Sequence, residues 1–137
     1  MNDLIEVRVS NLVGAALDWA VAQVEGISTI MLSPRKEEPP KPFALFGSLA
    51  LSVGGDDQSS FTPSSCWHCG GPLIDKYKGS AHHNPHLEDN SCQYSAGPEG
   101  AGIWLYGPTA LVAFCRTLVL TKLGDTVQVP KELMPCS

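Results

Sequence analysis

The chain has 137 residues, 9 Lys+Arg against 14 Asp+Glu for a net charge of -5, and is 43% hydrophobic but only 17% charged. That length fits one domain, residues 1–137, with a core that needs no disulfide staples, and the low charge excludes a disordered, highly charged tail. The acidic balance argues against a protein whose main partner is duplex DNA or long RNA, where neutralising phosphates dominates affinity.

No apolar run approaches the ~18 residues of a membrane helix, and Met1-Asn2-Asp3 lacks the basic start of a signal peptide. No membrane partner is therefore expected. Five cysteines, an odd number without an export signal, read as reduced thiols or metal ligands rather than a disulfide framework.

In chain order, Ile5, Val7 and Val9 alternate with Glu6 and Arg8 and predict a half-buried strand over Leu4 to Val9. Ser10 is the expected N-cap of a helix from Asn11 to Glu25, stopped by Gly26. Its apolar stripe is Val13, Ala16, Leu17, Ala20 and Val24, with Trp19 at the edge and Asn11, Asp18, Ala22 and Glu25 opposite. Ile27 to Leu32 predicts a second strand. Ser33 to Lys41 is a proline-rich loop, and Phe43 to Val53 fits either a strand or a short helix.

Gly54–Ser60, Pro63–Pro72 and Gly79–Asn90 read as turns. Ile103 to Tyr106 predicts a short buried strand. Gly107-Pro108-Thr109 opens a helix over Ala110 to Leu123 that Gly124 ends. Leu111, Val112, Phe114, Cys115, Leu118, Val119 and Leu120 wrap most of this helix, placing it at the centre of the fold or in an oligomer interface. Asp125 to Val129, closed by Pro130, is the final strand. The expected class is α+β: a small mixed sheet packed on two main helices, with long loops.

Three constellations carry possible chemistry. Cys66-x2-Cys69-x12-His82-x3-His86 has the ligand spacing of a zinc finger. Pro85 between the histidines and Gly79 at a core position weaken the match, and the alternative is a turn followed by an exposed histidine loop. The second constellation is an anion site: the first turn after Thr109 offers free N–H groups and a positive dipole end. Arg116, two turns along, needs a partner, either a ligand phosphate or a carboxylate such as Asp18 or Asp75. Third, Trp67 precedes Gly70-Gly71-Pro72, and Trp104 and Tyr106 precede Gly107, an arrangement able to sandwich a flat ring. No hydrolase triad or P-loop motif occurs.

Several segments resemble one family. Ala15-Ala16-Leu17-Asp18-Trp19-Ala20-Val21-Ala22, Phe61 to Ser65 with Trp67, and Gly70-Gly71-Pro72-Leu73-Ile74-Asp75 are similar to the NinX-like family of small bacteriophage proteins. So are Tyr106 to Leu111 through Arg116, Lys122 to Asp125, and Val127 to Pro130. Arg35 to Gly55 and Lys78 to Asn90 have no counterpart in it. The resemblance implies a phage protein acting in the cytoplasm of the infected host, with any zinc at Cys66, Cys69, His82 and His86 peculiar to this chain.

In that setting the expectation is a non-catalytic binder, a sponge for a nucleotide-type immune signal such as a cyclic dinucleotide or an ADP-ribose derivative. Its expected lining is Asp18, Trp19, Ser64, Trp67, Gly70, Gly71, Tyr106, Thr109 and Arg116, with no cofactor unless zinc binds. The apolar last helix suggests a homo-oligomer. The alternatives are a zinc-stabilised module that inhibits a host protein, and a small enzyme that degrades a nucleotide signal.

Overall fold

The structure, a computed structural model, describes residues 4–33, 40–54 and 60–133. The loop expected over Ser33 to Lys41 and the turns over Gly54 to Ser60 fall largely outside them, as does Cys136. The described elements run β1 (Leu4–Arg8), a 3₁₀ turn (Val9–Asn11), α1 (Gly14–Val24), β2 (Ser28–Leu32), β3 (Lys41–Phe46) and β4 (Leu49–Ser52). There follow α2 (Trp67–Lys76), β5 (Ser80–His83), a 3₁₀ turn (Asn90–Cys92), β6 (Tyr94–Gly97), β7 (Leu105–Gly107), α3 (Ala110–Leu123) and β8 (Thr126–Pro130).

The class is α+β as expected, but the strands form separate antiparallel sheets, β1-β8, β2-β3-β4 and β5-β6-β7, rather than one mixed sheet. The physical reason lies in the connections, since parallel pairing needs a crossover of a dozen or more residues. Here β3 and β4 are joined by Gly47 and Ser48 alone, with Gly47 at φ 64. A two-residue hairpin requires positive φ in its first position, and glycine adopts it without steric cost. The segment from Phe43 to Val53 is thus a hairpin. β1 and β8 pair from Leu4↔Pro130 to Arg8↔Thr126, bringing the two ends of the described chain together.

The helix expected from Asn11 begins later, at Gly14 with Val13 in the N-cap position, because Ser10 lies in the 3₁₀ turn. Two residues of its supposed polar face are buried, Asp18 at 1% exposed and Ala22 fully covered, whereas Asn11, and Val13 of the stripe, are exposed. α1 is therefore covered on most sides, which its short alanine side chains permit by letting neighbours approach closely. The last helix runs over the expected residues, Ala110 to Leu123, with Gly124 at its C-cap.

α3 is the centre of the molecule. Leu111, Ala113, Phe114, Cys115, Thr117, Leu118 and Val119 are buried, and the helix packs against α1, α2, β5, β6, β7 and β8. The chain's own elements cover it, so its apolar circumference no longer argues for an oligomer. Thr117 ties β7 to the helix, its hydroxyl accepting from Leu105 N–H at 2.8 Å and donating to the Ala113 carbonyl at 3.0 Å.

Two segments expected as turns are regular. Trp67–Lys76 is helical despite Gly70, Gly71 and Pro72, and Gly79–Asn90 contains β5, which pairs with β6. No described helix is long and apolar enough to cross a membrane. Phe114 is fully buried against the Gly79 backbone, where an added Cβ would come within 2.5 Å of its ring. Phe114→Ala is expected to cost about 3–5 kcal/mol, as for other large-to-small core changes. Urea denaturation should show a lower midpoint with an unchanged slope.

Candidate ligand-binding site

The candidate site begins with the turn that precedes α2. Thr62 turns the chain back by accepting at its carbonyl from Ser65 N–H at 3.1 Å and Cys66 N–H at 2.8 Å. Ser64 is buried, and its backbone N–H donates to Asp18 Oδ1 at 2.8 Å across 46 residues of sequence. Burial raises the Asp18 carboxyl to about 6 against the lowering effect of the Ser64 hydroxyl and N–H. The same carboxylate helps push the buried Cys115 thiol above its ordinary range, a shift caused mainly by burial. Asp18 therefore anchors the turn from inside the fold and is closed to solvent.

Gly70 has an equally internal role. A Cβ there would lie 2.4 Å from the Pro63 carbonyl oxygen and 2.7 Å from Leu111 Cδ2, so only glycine lets α2 approach the turn and α3 this closely. The space beside Gly70 is filled by protein and leaves no room for a ribose. Gly71 differs, since an added Cβ would meet only the Trp67 ring, at 3.9 Å.

Beyond this joint the surface opens. Ser64, Ser65, Trp67, Thr109, Leu111 and Val112 line a cavity of about 240 Å³. Three of the nine residues expected at a ligand site, Ser64, Trp67 and Thr109, thus meet in one place. Trp67 is 60% exposed, so its ring is available for stacking. Thr109 is the N-cap of α3, and its hydroxyl oxygen accepts from Val112 N–H at 3.2 Å. That bond satisfies one first-turn amide and leaves the earlier ones directed out of the helix end.

Arg116 and Tyr106 belong to another cavity, of about 410 Å³, shared with Ser10, Asn11, Ser91, Cys92 and Leu105. The partner expected for Arg116, a phosphate or a carboxylate, is replaced by backbone. Nε donates to the Leu12 carbonyl and Nη1 to the Tyr106 carbonyl, each at 2.8 Å. Those bonds take two of the five N–H donors of a guanidinium, and burial lowers its pKa from the usual arginine value. The Arg116 side chain thus bridges the chain before α1 to β7. Trp19 is half-buried and packs against the core from α1.

The four residues with zinc-finger spacing fall on different elements. Cys66 is the N-cap of α2 and Cys69 lies in its first turn, whereas His82 sits on β5 and His86 in the turn beyond it. Among the described residues, no group of three or more His, Cys, Asp or Glu side chains is placed to hold a metal. The short spacing that suggested a finger is spent on a helix and a strand edge.

Sequence reasoning missed Ser65, Leu111 and Val112 at the first cavity and Ser10, Asn11, Ser91 and Cys92 at the second. Only the position of Leu111 and Val112 in the first turn after Thr109 pointed to any of them. The arrangement is that of a small α+β protein whose central helix borders several clefts, these two among them. The chain belongs to the phage family described as "Bacteriophage P22, NinX", which matches residues 8–122. No curated protein matches the sequence. The matched span contains every residue lining both cavities.

Two predictions follow from the anchoring groups. Asp18 holds its proton to about pH 6 when folded but releases it near 3.8 when unfolded, so between those values the folded state binds more protons. Stability should fall as pH rises through this window, by about 3 kcal/mol in total, and stay level above it. Asp18→Asn keeps the acceptor for Ser64 N–H and should remove this slope when unfolding is followed from pH 4 to 7. Arg116→Ala strips the Leu12 and Tyr106 carbonyls of a charged donor and is expected to lower stability by about 2 kcal/mol, read as a lower melting temperature at neutral pH.

Proposed function

We propose that this phage protein is a non-catalytic binder of a small nucleotide-type ligand, a sponge for a signal such as a cyclic dinucleotide or an ADP-ribose derivative. The observation that carries this reading is the meeting of an exposed tryptophan with the N-terminus of α3 in one cavity. A flat base has an aromatic face to stack on, and the amides beyond Thr109 offer the positive end of a helix dipole to a phosphate.

Arg116 extends the reading. It lies seven residues after Thr109, which is about 10 Å along an α-helix and nearly the same face. Its remaining guanidinium N–H groups, beside the second cavity, are donors of the kind that bind a phosphate. With about 240 Å³ beside Trp67, the first cavity takes one base or one phosphate end, not a whole dinucleotide.

The test is a native mass spectrum of the full chain with and without a mixed panel of cyclic dinucleotides and ADP-ribose derivatives. The expected result is a metal-free protein that gains one ligand mass and returns the ligand unchanged. Trp67→Ala should weaken capture by about 1–3 kcal/mol, the usual worth of one base stacked on an aromatic ring. Failure of the whole panel to bind, or undiminished binding by Trp67→Ala, would overturn the reading. Cleaved ligand would point to the degrading enzyme, and a zinc mass on each subunit without ligand uptake to the metal-stabilised interaction module.

A further inference from the structure

We propose that Cys66 and Cys69 form a thiol–disulfide exchange centre, oxidised by a low-molecular-weight disulfide such as oxidised glutathione. Cys66-Trp67-His68-Cys69 is a Cys-x-x-Cys sequence at the start of a ten-residue helix, with both thiols reduced. Cys69 N–H donates to the Cys66 carbonyl at 3.1 Å. A four-residue turn closed in this way keeps its end Cα atoms within about 7 Å, the reach of a disulfide. The pair can therefore be bridged without unwinding α2.

The two sulfurs have different surroundings. Cys66 is the N-cap residue, half-exposed, and beside it Trp67 stands open to solvent. Its side chain makes no cap hydrogen bond, and it sits at the positive end of the α2 dipole, which favours a thiolate. Cys69, one turn in, donates its S–H to the Ser60 carbonyl at 3.4 Å. This asymmetry assigns attack to Cys66 and resolution to Cys69. The remaining described cysteines lack such a neighbour: Cys115 is fully buried in α3, and Cys92 has its sulfur 4.0 Å from an Asp89 carboxylate oxygen.

The exchange balances as two displacements. Cys66 thiolate attacks one sulfur of the incoming disulfide, forming a mixed disulfide and releasing the first thiolate. Cys69 then gives its proton to a released thiolate and attacks Cys66 Sγ. The Cys66–Cys69 bond forms, the bond from Cys66 to the incoming half breaks, and the second thiolate leaves. Two electrons pass from the cysteine pair to the disulfide; one half departs with the Cys69 proton, and the other takes from solvent the proton that Cys66 gave up on ionising.

The experiment equilibrates the full chain across ratios of reduced to oxidised glutathione, followed by acid quenching, alkylation and peptide mapping. Cys66 and Cys69 are expected to lose alkylation together, with the loss of two hydrogens. Cys69→Ser should stop at one glutathione on Cys66, acquired several-fold faster than any on Cys92, and Cys66→Ser should leave Cys69 without that rapid adduct. Retention of both thiols at the most oxidising ratio would overturn the proposal, as would an adduct on Cys66 no faster than on Cys92. So would thiols that react only after a chelator strips zinc. The wild-type measurement decides the question even if a variant fails to fold.

Discussion

A buried carboxylate is costly unless it is given donors, and Asp18 receives them from Ser64, 46 residues away. That single joint fixes the turn from Thr62 to Cys66 onto α1. The turn in turn sets where α2 begins, and so where Trp67, Cys66 and Cys69 stand. The cost of holding a charge in the interior shows in the Asp18 carboxyl itself, raised to about 6. Broken hydrogen bonds here would leave a buried acid unpaired and the start of α2 without a support. The pocket beside Trp67 is thus built on an interaction that no ligand touches.

The second constraint is that α3 is apolar on nearly every side. A helix of this kind finds a low-energy place only where it is wrapped, and two helices, four strands and the 3₁₀ turn at Val9–Asn11 wrap it. What it leaves uncovered is its two ends and the cleft beside Arg116. The two cavities are therefore consequences of the same packing: one opens where α2 and its turn reach the helix start, the other where β7 and the chain before α1 pass the guanidinium. Arg116 serves the fold first, through two carbonyls, and offers a ligand only the donors left over.

The same local chemistry underlies the readings of two helix starts. Cys66 stands at the start of α2, and the start of α3 borders a cavity with an aromatic wall. In both places the positive end of a helix would favour negative charge, that of the proposed thiolate in one and of the proposed phosphate in the other. Trp67 stands between the cysteines and lines the cavity, so the two features share a wall without sharing a mechanism.

The sequence by itself determined the α+β class, the family, the extent of α3, and the strands near both ends, because these are written in period, caps and motif. β2 and β8 start and stop within a residue or so of their hydrophobic patterns. It misassigned Trp67 to Pro72 and Ser80 to His83, read as turns: in the first, Gly70 is there for close packing and Pro72 is carried inside a helix. It also read Asp18 as exposed, since a single amphipathic stripe cannot reveal that a second element covers the other face. Which residues share a cavity was decided only by tertiary structure. Ser64, Trp67 and Thr109 are far apart in the chain, and their meeting depends on a long-range hydrogen bond and on helix packing, neither of which leaves a local trace.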